Sequence, residues 1–279
     1  SARCNTEGEC LMPYAPVNGI RIHYETYGQG KPLLLINGLS APAVGFLFQV
    51  RDLSPHYQVI TFDNRGVGET GVAEGEVYPT SQLADDAAAL LRYLGVTRAH
   101  VLGTSMGGTI AQELAVRHPK VVRSLVLACT WARGDGRFLH TLSSWVALSR
   151  KLSVEERFRE MLYPFLYTPG FFERPGGVED ALKRTLAYPY QTTPEGIERQ
   201  AGGIFAWNGT RLKELKKIKV PTLVLVGRED ILTPPAFSRE LARLIRKARL
   251  KVIAGAHGFF IEEAESFNRT VLAFLRGVK

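Results

Sequence analysis

Ser105 stands in "GTSMG" (103–107), a serine between two glycines, with the apolar run "AHVLGTS" before it and the helix-period stretch "GGTIAQELAVRH" after it. A serine hydroxyl is a poor nucleophile unless a base takes its proton and a third group orients that base. The G-x-S-x-G spacing fits a strand-to-helix turn that holds the serine in a strained conformation and lifts its Oγ clear. Gly103 and Gly107 suit that turn because strand and helix pass too close for side chains there, and Gly108 lets the helix lie tight on the sheet. The chemistry implied is nucleophilic attack by Ser105, and the chain must supply the partners.

There are six histidines. His23 falls in a strand, His56 in a loop, His100 at a strand start, His118 at a helix end and His140 in a helical segment, and each has a structural role available. His257 differs, because "GAHGF" follows an apolar strand and its small neighbours leave the imidazole room. Loops at the carboxyl ends of strands are where ligands bind in open α/β sheets. The orienting acid should come from another such loop. "LVLVGREDILTPP" (223–235) offers Glu229 and Asp230, with Asp230 favoured by its place between the turn at Gly227 and the rigid Thr233-Pro234-Pro235. Asp135, after another apolar strand, is a weaker rival.

The elements that must position these residues are legible as periodicity. "PLLLING", "YQVITFD", "AHVLGTS", "RSLVLACT", "PTLVLVG" and "LKVIAGA" are near-continuous apolar runs, the pattern of strands buried on both faces. Helix-period stretches such as "TSQLADDAAALLRYLG" separate them, and "IRIHYETYG" (20–28) alternates like an antiparallel strand at the start of the sheet. Strand and helix in alternation give the α/β class. From 131 to about 215 no buried strand is evident, and Pro and Gly punctuate a series of amphipathic pieces. The expected division is an α/β core over 1–130, a helical cap over 131–215 and the remaining core over 216–279.

With these segments the chain resembles the α/β-hydrolase superfamily, in particular small bacterial carboxylesterases and enzymes similar to 3-oxoadipate enol-lactonase or to the cofactor-free haloperoxidases. "FDNRGVGET" (62–70) is similar to the family's D-x-R-G-x-G-x-S turn, "KKIKVPTLVLVGREDILTP" to the segment carrying the acid, and "GAHGFFIEEAESFNRTVLAFL" (255–275) to the histidine loop and closing helix. The resemblance implies a mostly parallel central sheet covered by helices, with the helical cap inserted after the sixth strand. It orders the triad as Ser105, Asp230, His257. It places an oxyanion hole at the backbone N–H groups of Met106 and Leu39, backed by the dipole of the helix that starts after Ser105. The chain departs from the pattern with Asn37-Gly38 for His-Gly, Thr70 for serine and Ala264 for proline. Asp63 and Arg65 are expected to be structural, tying their turn to the Gly38 loop.

A serine at this turn argues against haloalkane dehalogenases and epoxide hydrolases, which the family builds on aspartate, and "GTSMG" is not the iminopeptidase G-G-S-W-G. The expectation is hydrolysis of carboxylic esters or lactones through an acyl-enzyme, without cofactor or metal. The alternatives are a C–C bond hydrolase of the meta-cleavage type or a perhydrolase with the same triad, and a ligand-binding protein without turnover. Trp131, Trp145, Phe205 and Trp207 are the aromatics expected to line the substrate pocket, among others in the cap that pack it.

Composition narrows the rest. The chain has 279 residues, 45% hydrophobic and 22% charged, enough for one large domain with an insertion. Its net charge of +8 gathers in "KELKKIK" and "RELARLIRKARLK". Neither run is interleaved with aromatics, so both read as solvated faces rather than a nucleic-acid platform, and a charged substrate would be an anion. No run approaches a membrane span, the first thirty residues lack a signal peptide's apolar stretch, and the start on Ser1 leaves removal of a leader open. Three cysteines, Cys4, Cys10 and Cys129, without metal spacing suit reduced thiols in the cytoplasm. The expected partner is a small molecule, with neither nucleic acid nor membrane, and a homo-oligomer left open.

Overall fold

The apolar runs form an eight-stranded sheet in a computed structural model that describes residues 13–278. Cys4 and Cys10 lie outside the described residues. The strands are β1 (Tyr14–Val17), β2 (Ile20–Tyr27), β3 (Pro32–Ile36), β4 (Gln58–Phe62), β5 (Ala99–Thr104), β6 (Val122–Ala128), β7 (Thr222–Gly227) and β8 (Ala248–Ile253), in spatial order β1-β2-β4-β3-β5-β6-β7-β8. β2 pairs antiparallel with β1 and β4, and all pairs from β4 to β8 are parallel. The four-residue β1 was too short to register as an apolar run.

Alternation of side chains along each strand sends Leu34 and Ile36 to one core layer and Leu33 and Leu35 to the other. The helices α1 (Leu47–Leu53), α2 (Thr80–Tyr93) and α3 (Met106–Arg117) follow β3, β4 and β5. α2 and α3 pack on the Leu34 layer through Leu83, Leu90, Ile110 and Leu114. α1 and the C-terminal helix cover the opposite layer through Leu53, Phe267, Val271 and Leu275. β5 is buried at all six positions, whereas β8, at the sheet edge, carries exposed Arg249 and Lys251. Charges on an edge strand discourage pairing with another chain. The basic run "RELARLIRKARLK" accordingly divides into a helical part that ends at Leu244 and the edge strand Ala248–Ile253.

Between β6 and β7 the described residues contain helices and no strand. The longer ones are α4 (Gly136–Ser149), α5 (Gly177–Leu186) and α6 (Pro194–Trp207), followed in the core by α7 (Pro235–Leu244) and α8 (Ala264–Arg276). No helix among the described residues is long and apolar enough to cross a membrane.

His100, fully buried on β5, shares a 2.7 Å hydrogen bond between Nδ1 and Ser124 Oγ. Burial, then Arg123, Lys31 and Arg98, lower its pKa to about 4. An unfolded imidazole titrates near 6.5, so the unfolded chain takes up this proton first as pH falls. The stabilisation is therefore complete above about pH 6.5 and lost progressively toward pH 4, by roughly 3 kcal/mol. Urea denaturation between pH 7 and 4.5 should show this loss in the wild type and a shallower one in His100→Gln.

Candidate active site

Ser105 follows the last residue of β5 and caps α3 with φ 53 and ψ −122, a backbone conformation that L-residues avoid. The turn closes only because side chains are missing around it. A Cβ on Gly103 would lie 2.2 Å from the Gly107 carbonyl oxygen, and one on Gly107 would lie 2.0 Å from that of Ile36. One on Gly108 would meet Thr130 at 2.5 Å. The described residues have four non-glycine residues at positive φ, and three of them, Ser40, Ser105 and Cys129, follow β3, β5 and β6. Strain of roughly 1–3 kcal/mol per residue persists where surrounding structure fixes it, commonly at functional sites.

β7 and β8 deliver the expected partners to the same edge of the sheet. Asp230 is 2% exposed while Glu229 is exposed, which separates the two acids. Asp230 Oδ2 lies 2.9 Å from His257 Nδ1 and accepts from Thr233 Oγ1 at 2.7 Å, and Oδ1 accepts from the N–H groups of Leu232 and Thr233 at 3.0 and 2.8 Å. Donors on both oxygens compensate the buried carboxylate. Thr233 Oγ1 also stands 3.1 Å from His257 Nδ1 and 3.0 Å from the Cys129 carbonyl oxygen, so it links the acid, the imidazole and the end of β6. Residue type alone gave no sign of that role. Among the described residues no hydrogen bond joins Ser105 Oγ to His257, a contact that commonly tightens only with substrate bound.

The loop after β3 closes the other side. A Cβ on Gly38 would lie 3.1 Å from Ser105 Cβ. Asn37 Oδ1 accepts from Gly38 N and Thr104 Oγ1, and its Nδ2 donates to the Pro42 carbonyl, so asparagine holds the loop in place of the family's histidine. Among the described residues neither the Leu39 nor the Met106 N–H donates to a protein acceptor. Asp63 does tie its turn to this loop, accepting from Ala43 N at 2.7 Å. Arg65 does not: its guanidinium binds Asp86 on α2, because a buried cation takes the carboxylate within reach.

The alpha/beta hydrolase fold family matches residues 31–264. RutD of Azorhizobium caulinodans, provisionally named a carbamate hydrolase, is 34% identical over 269 residues, 94% of this chain and 98% of that protein. The crystal structure of the enol-lactonase from Burkholderia xenovorans LB400 shares 31% identity and a TM-score of 0.85, covering 95% of this chain and 100% of that one. A thermophilic esterase from Thermogutta terrifontis, solved with malate bound, shares 28% identity and a TM-score of 0.82 over 96% of this chain and 97% of that one. The chain belongs to the α/β-hydrolase family.

The remaining candidates divide within this α/β hydrolase by what they touch. Asp135 caps α4 by accepting from Phe138 N, and its residue is exposed. His56 and His140 are exposed, and His118 pairs with Asp85. Trp145 meets Phe165 edge-on at 5.3 Å, and the Phe165 carbonyl accepts from the His257 N–H at 3.3 Å. Trp131 packs against Phe138 at 4.5 Å, 1% exposed in the core. Trp207 is held at α3 away from Ser105. Phe205 is 39% exposed, and the Trp207 indole donates to Glu113 on α3, about 12 Å along the helix from Ser105. A buried indole N–H needs an acceptor, and Glu113 supplies one.

Two insertion residues without a sequence signal reach the loop after β3. Gln200 on α6, fully buried, accepts from Ser40 N at 2.9 Å and donates to the Arg65 carbonyl at 2.7 Å, and Thr192 Oγ1 donates to the Ser40 carbonyl at 2.8 Å. On the other side Gly258 N donates to the Leu166 carbonyl at 2.7 Å, fastening the insertion to the His257 loop. A surface hollow of about 840 Å³ between Tyr14, Arg21, Arg65 and Glu69 is separate, with none of Ser105, Asp230 and His257 in its lining. Among the described residues no group of three or more His, Cys, Asp or Glu side chains is arranged to hold a metal.

Cys129 is fully buried beside this network. Burial and then Asp230 push its thiol well above the usual range, opposed by the Ser105 N–H. Thiolate is the reactive form, so iodoacetamide should leave Cys129 unmodified in the native protein and alkylate it after denaturation, read by peptide mass spectrometry.

Proposed function

We propose that this hydrolase cleaves carboxylic esters or lactones through an acyl-enzyme on Ser105. The observation that carries the reading is the buried 2.9 Å contact between His257 Nδ1 and Asp230, in the loops after β7 and β8 at the same edge of the sheet as the strained serine after β5. His257 Nδ1–H donates to Asp230, which leaves Nε2 as the base. Ser105 Oγ attacks the substrate carbonyl as its proton passes to Nε2, and the N–H groups of Leu39 and Met106 receive the tetrahedral oxyanion. The imidazolium, steadied by Asp230, then protonates the departing alcohol, and water repeats the sequence to release the acid.

The helical insertion serves as the cap, and Gln200 and Thr192 hold the Ser40 backbone beneath it. Trp145 and Phe165 supply apolar surface on the His257 side. The relatives named for lactone and ester chemistry support this substrate class. The 34% identical RutD favours a second reading, hydrolysis of a carbamate, in which the same attack expels an amine.

Hydrolysis of p-nitrophenyl esters from acetate to decanoate by wild type and Ser105→Ala in parallel tests the proposal. Turnover should vanish in the variant, and the best chain length measures the space under the cap. A variant that keeps wild-type turnover would refute the assignment, and a wild type active on carbamates alone would transfer it to the second reading. Asp230→Asn should lower kcat by about 10⁴-fold, as loss of the orienting acid does in other serine triads. Gln200→Leu should lower kcat by up to about 10²-fold with KM little changed, because loss of an oxyanion donor costs roughly 10²–10³-fold and a displaced loop forfeits part of that.

A further inference from the structure

Arg157 opens a π-helical stretch, Arg157–Leu162, in the insertion and is 9% exposed. Its Nη1 donates to the Thr192 carbonyl at 2.9 Å, and its buried Nε has no hydrogen-bond partner. Among the described residues no carboxylate lies within 4.0 Å of this guanidinium. The acids nearest in sequence are engaged or exposed: Glu155 pairs with Arg159, Glu156 closes a capping box with Ser153, and Glu160 stands in solvent. The comparison with Arg65 is direct. Arg65 is 4% exposed and is met by Asp86 at 2.5 and 3.0 Å.

The position of Arg157 gives its missing partner a source. Thr192, which accepts from Arg157, donates through Oγ1 to the Ser40 carbonyl, and Ser40 follows Leu39 in the loop that lies against Ser105. A planar, permanently charged fork is thus joined through Thr192 to the loop that lies against the nucleophile, and its shape matches the two oxygens of a carboxylate.

We propose that Arg157 is a carboxylate subsite, which holds an acid group carried by the substrate while Ser105 attacks the ester or lactone carbonyl. The inference rests on the serine-hydrolase reading and narrows it to carboxylate-bearing esters and lactones, such as monoesters of dicarboxylic acids. Burial, which pushes the Arg157 pKa down, agrees with a cation lacking an anionic neighbour.

Monomethyl glutarate and methyl pentanoate, matched in chain length, can be compared by pH-stat titration on wild type, Arg157→Gln and Arg157→Lys. Wild type should favour the glutarate in kcat/KM by at least about 10-fold, and Arg157→Gln should lower the ratio of the two values by about 10²-fold, the worth of a charge-assisted pair. Arg157→Lys, which keeps the charge without the fork, should lie between them and carries the comparison if the glutamine variant does not fold. A purely structural arginine would depress both substrates alike, and an unchanged ratio overturns the proposal. Glutarate itself should raise the melting temperature of wild type and of Ser105→Ala but not of Arg157→Gln. That arm needs no turnover, so the subsite can stand or fall apart from the reaction. Equal shifts in wild type and Arg157→Gln also overturn it.

Discussion

The crowding of three backbone segments around Ser105 is the constraint on which the rest of the site depends. β3, β5 and the start of α3 meet so closely that Gly103 and Gly107 have no room for a Cβ, and Ser105 takes up the difference as positive φ. That one compression turns the Ser105 side chain out of the turn and starts α3 directly behind Met106. It also brings the Gly38 loop alongside. Looser packing would relax the serine and separate the two unbonded N–H groups of Leu39 and Met106. The strain is modest against the burial of the neighbouring strands, where each enclosed Leu or Val is worth roughly 1.5–3 kcal/mol. The surrounding sheet therefore dictates the turn, and the turn does not distort the sheet.

A second constraint operates at the far side of the cleft. A fully buried carboxylate is tolerated at Asp230 because both its oxygens are occupied by donors from Leu232, Thr233 and His257. Thr233 bridges that carboxylate to the carbonyl of Cys129, itself at positive φ. The loops after β6, β7 and β8 are thereby locked to one another. The helical insertion fastens to the result at two separate places, Ser40 through Gln200 and Thr192, and the His257 loop through Phe165 and Leu166.

The features legible in the sequence were those fixed by local chemistry. The parallel strands read as unbroken apolar runs because both faces are covered, and Ser105, Asp230 and His257 stood out because each follows such a run. The misreadings arose where tertiary context decides. β1 is too short to show alternation, and β8 starts two residues before the apolar run "LKVIAGA" that announced it, in the charged stretch of the sheet edge. Arg65 and Asp63 sit two residues apart in one motif yet face different partners, which only the position of Asp86 determines. Aromatic type could not separate Trp145, linked through Phe165 to His257, from Trp207, a strut against Glu113. Gln200 and Thr192 belong to no motif, since their role comes from a contact with Ser40 more than 150 positions away in the chain.

The same distinction bears on how the insertion is used. Its polar groups include satisfied pairs with the core, such as Trp207 and Arg211 with Glu113, and the buried guanidinium of Arg157, which bonds Thr192 through Nη1 but leaves Nε without a partner. The first kind fixes where the insertion sits. The second is not accounted for by its one bond to Thr192, because burying a guanidinium without a counter-ion is unfavourable and an apolar side chain would fill the space without that cost. A charge retained under those conditions, one threonine away from the loop that faces Ser105, is intelligible as half of an ion pair whose other half arrives with the substrate. Binding would then relieve the unfavourable burial. On that view the insertion combines two tasks, holding the Ser40 loop in its working position and presenting a cation to what enters beneath it, and Thr192 is the residue where the two meet.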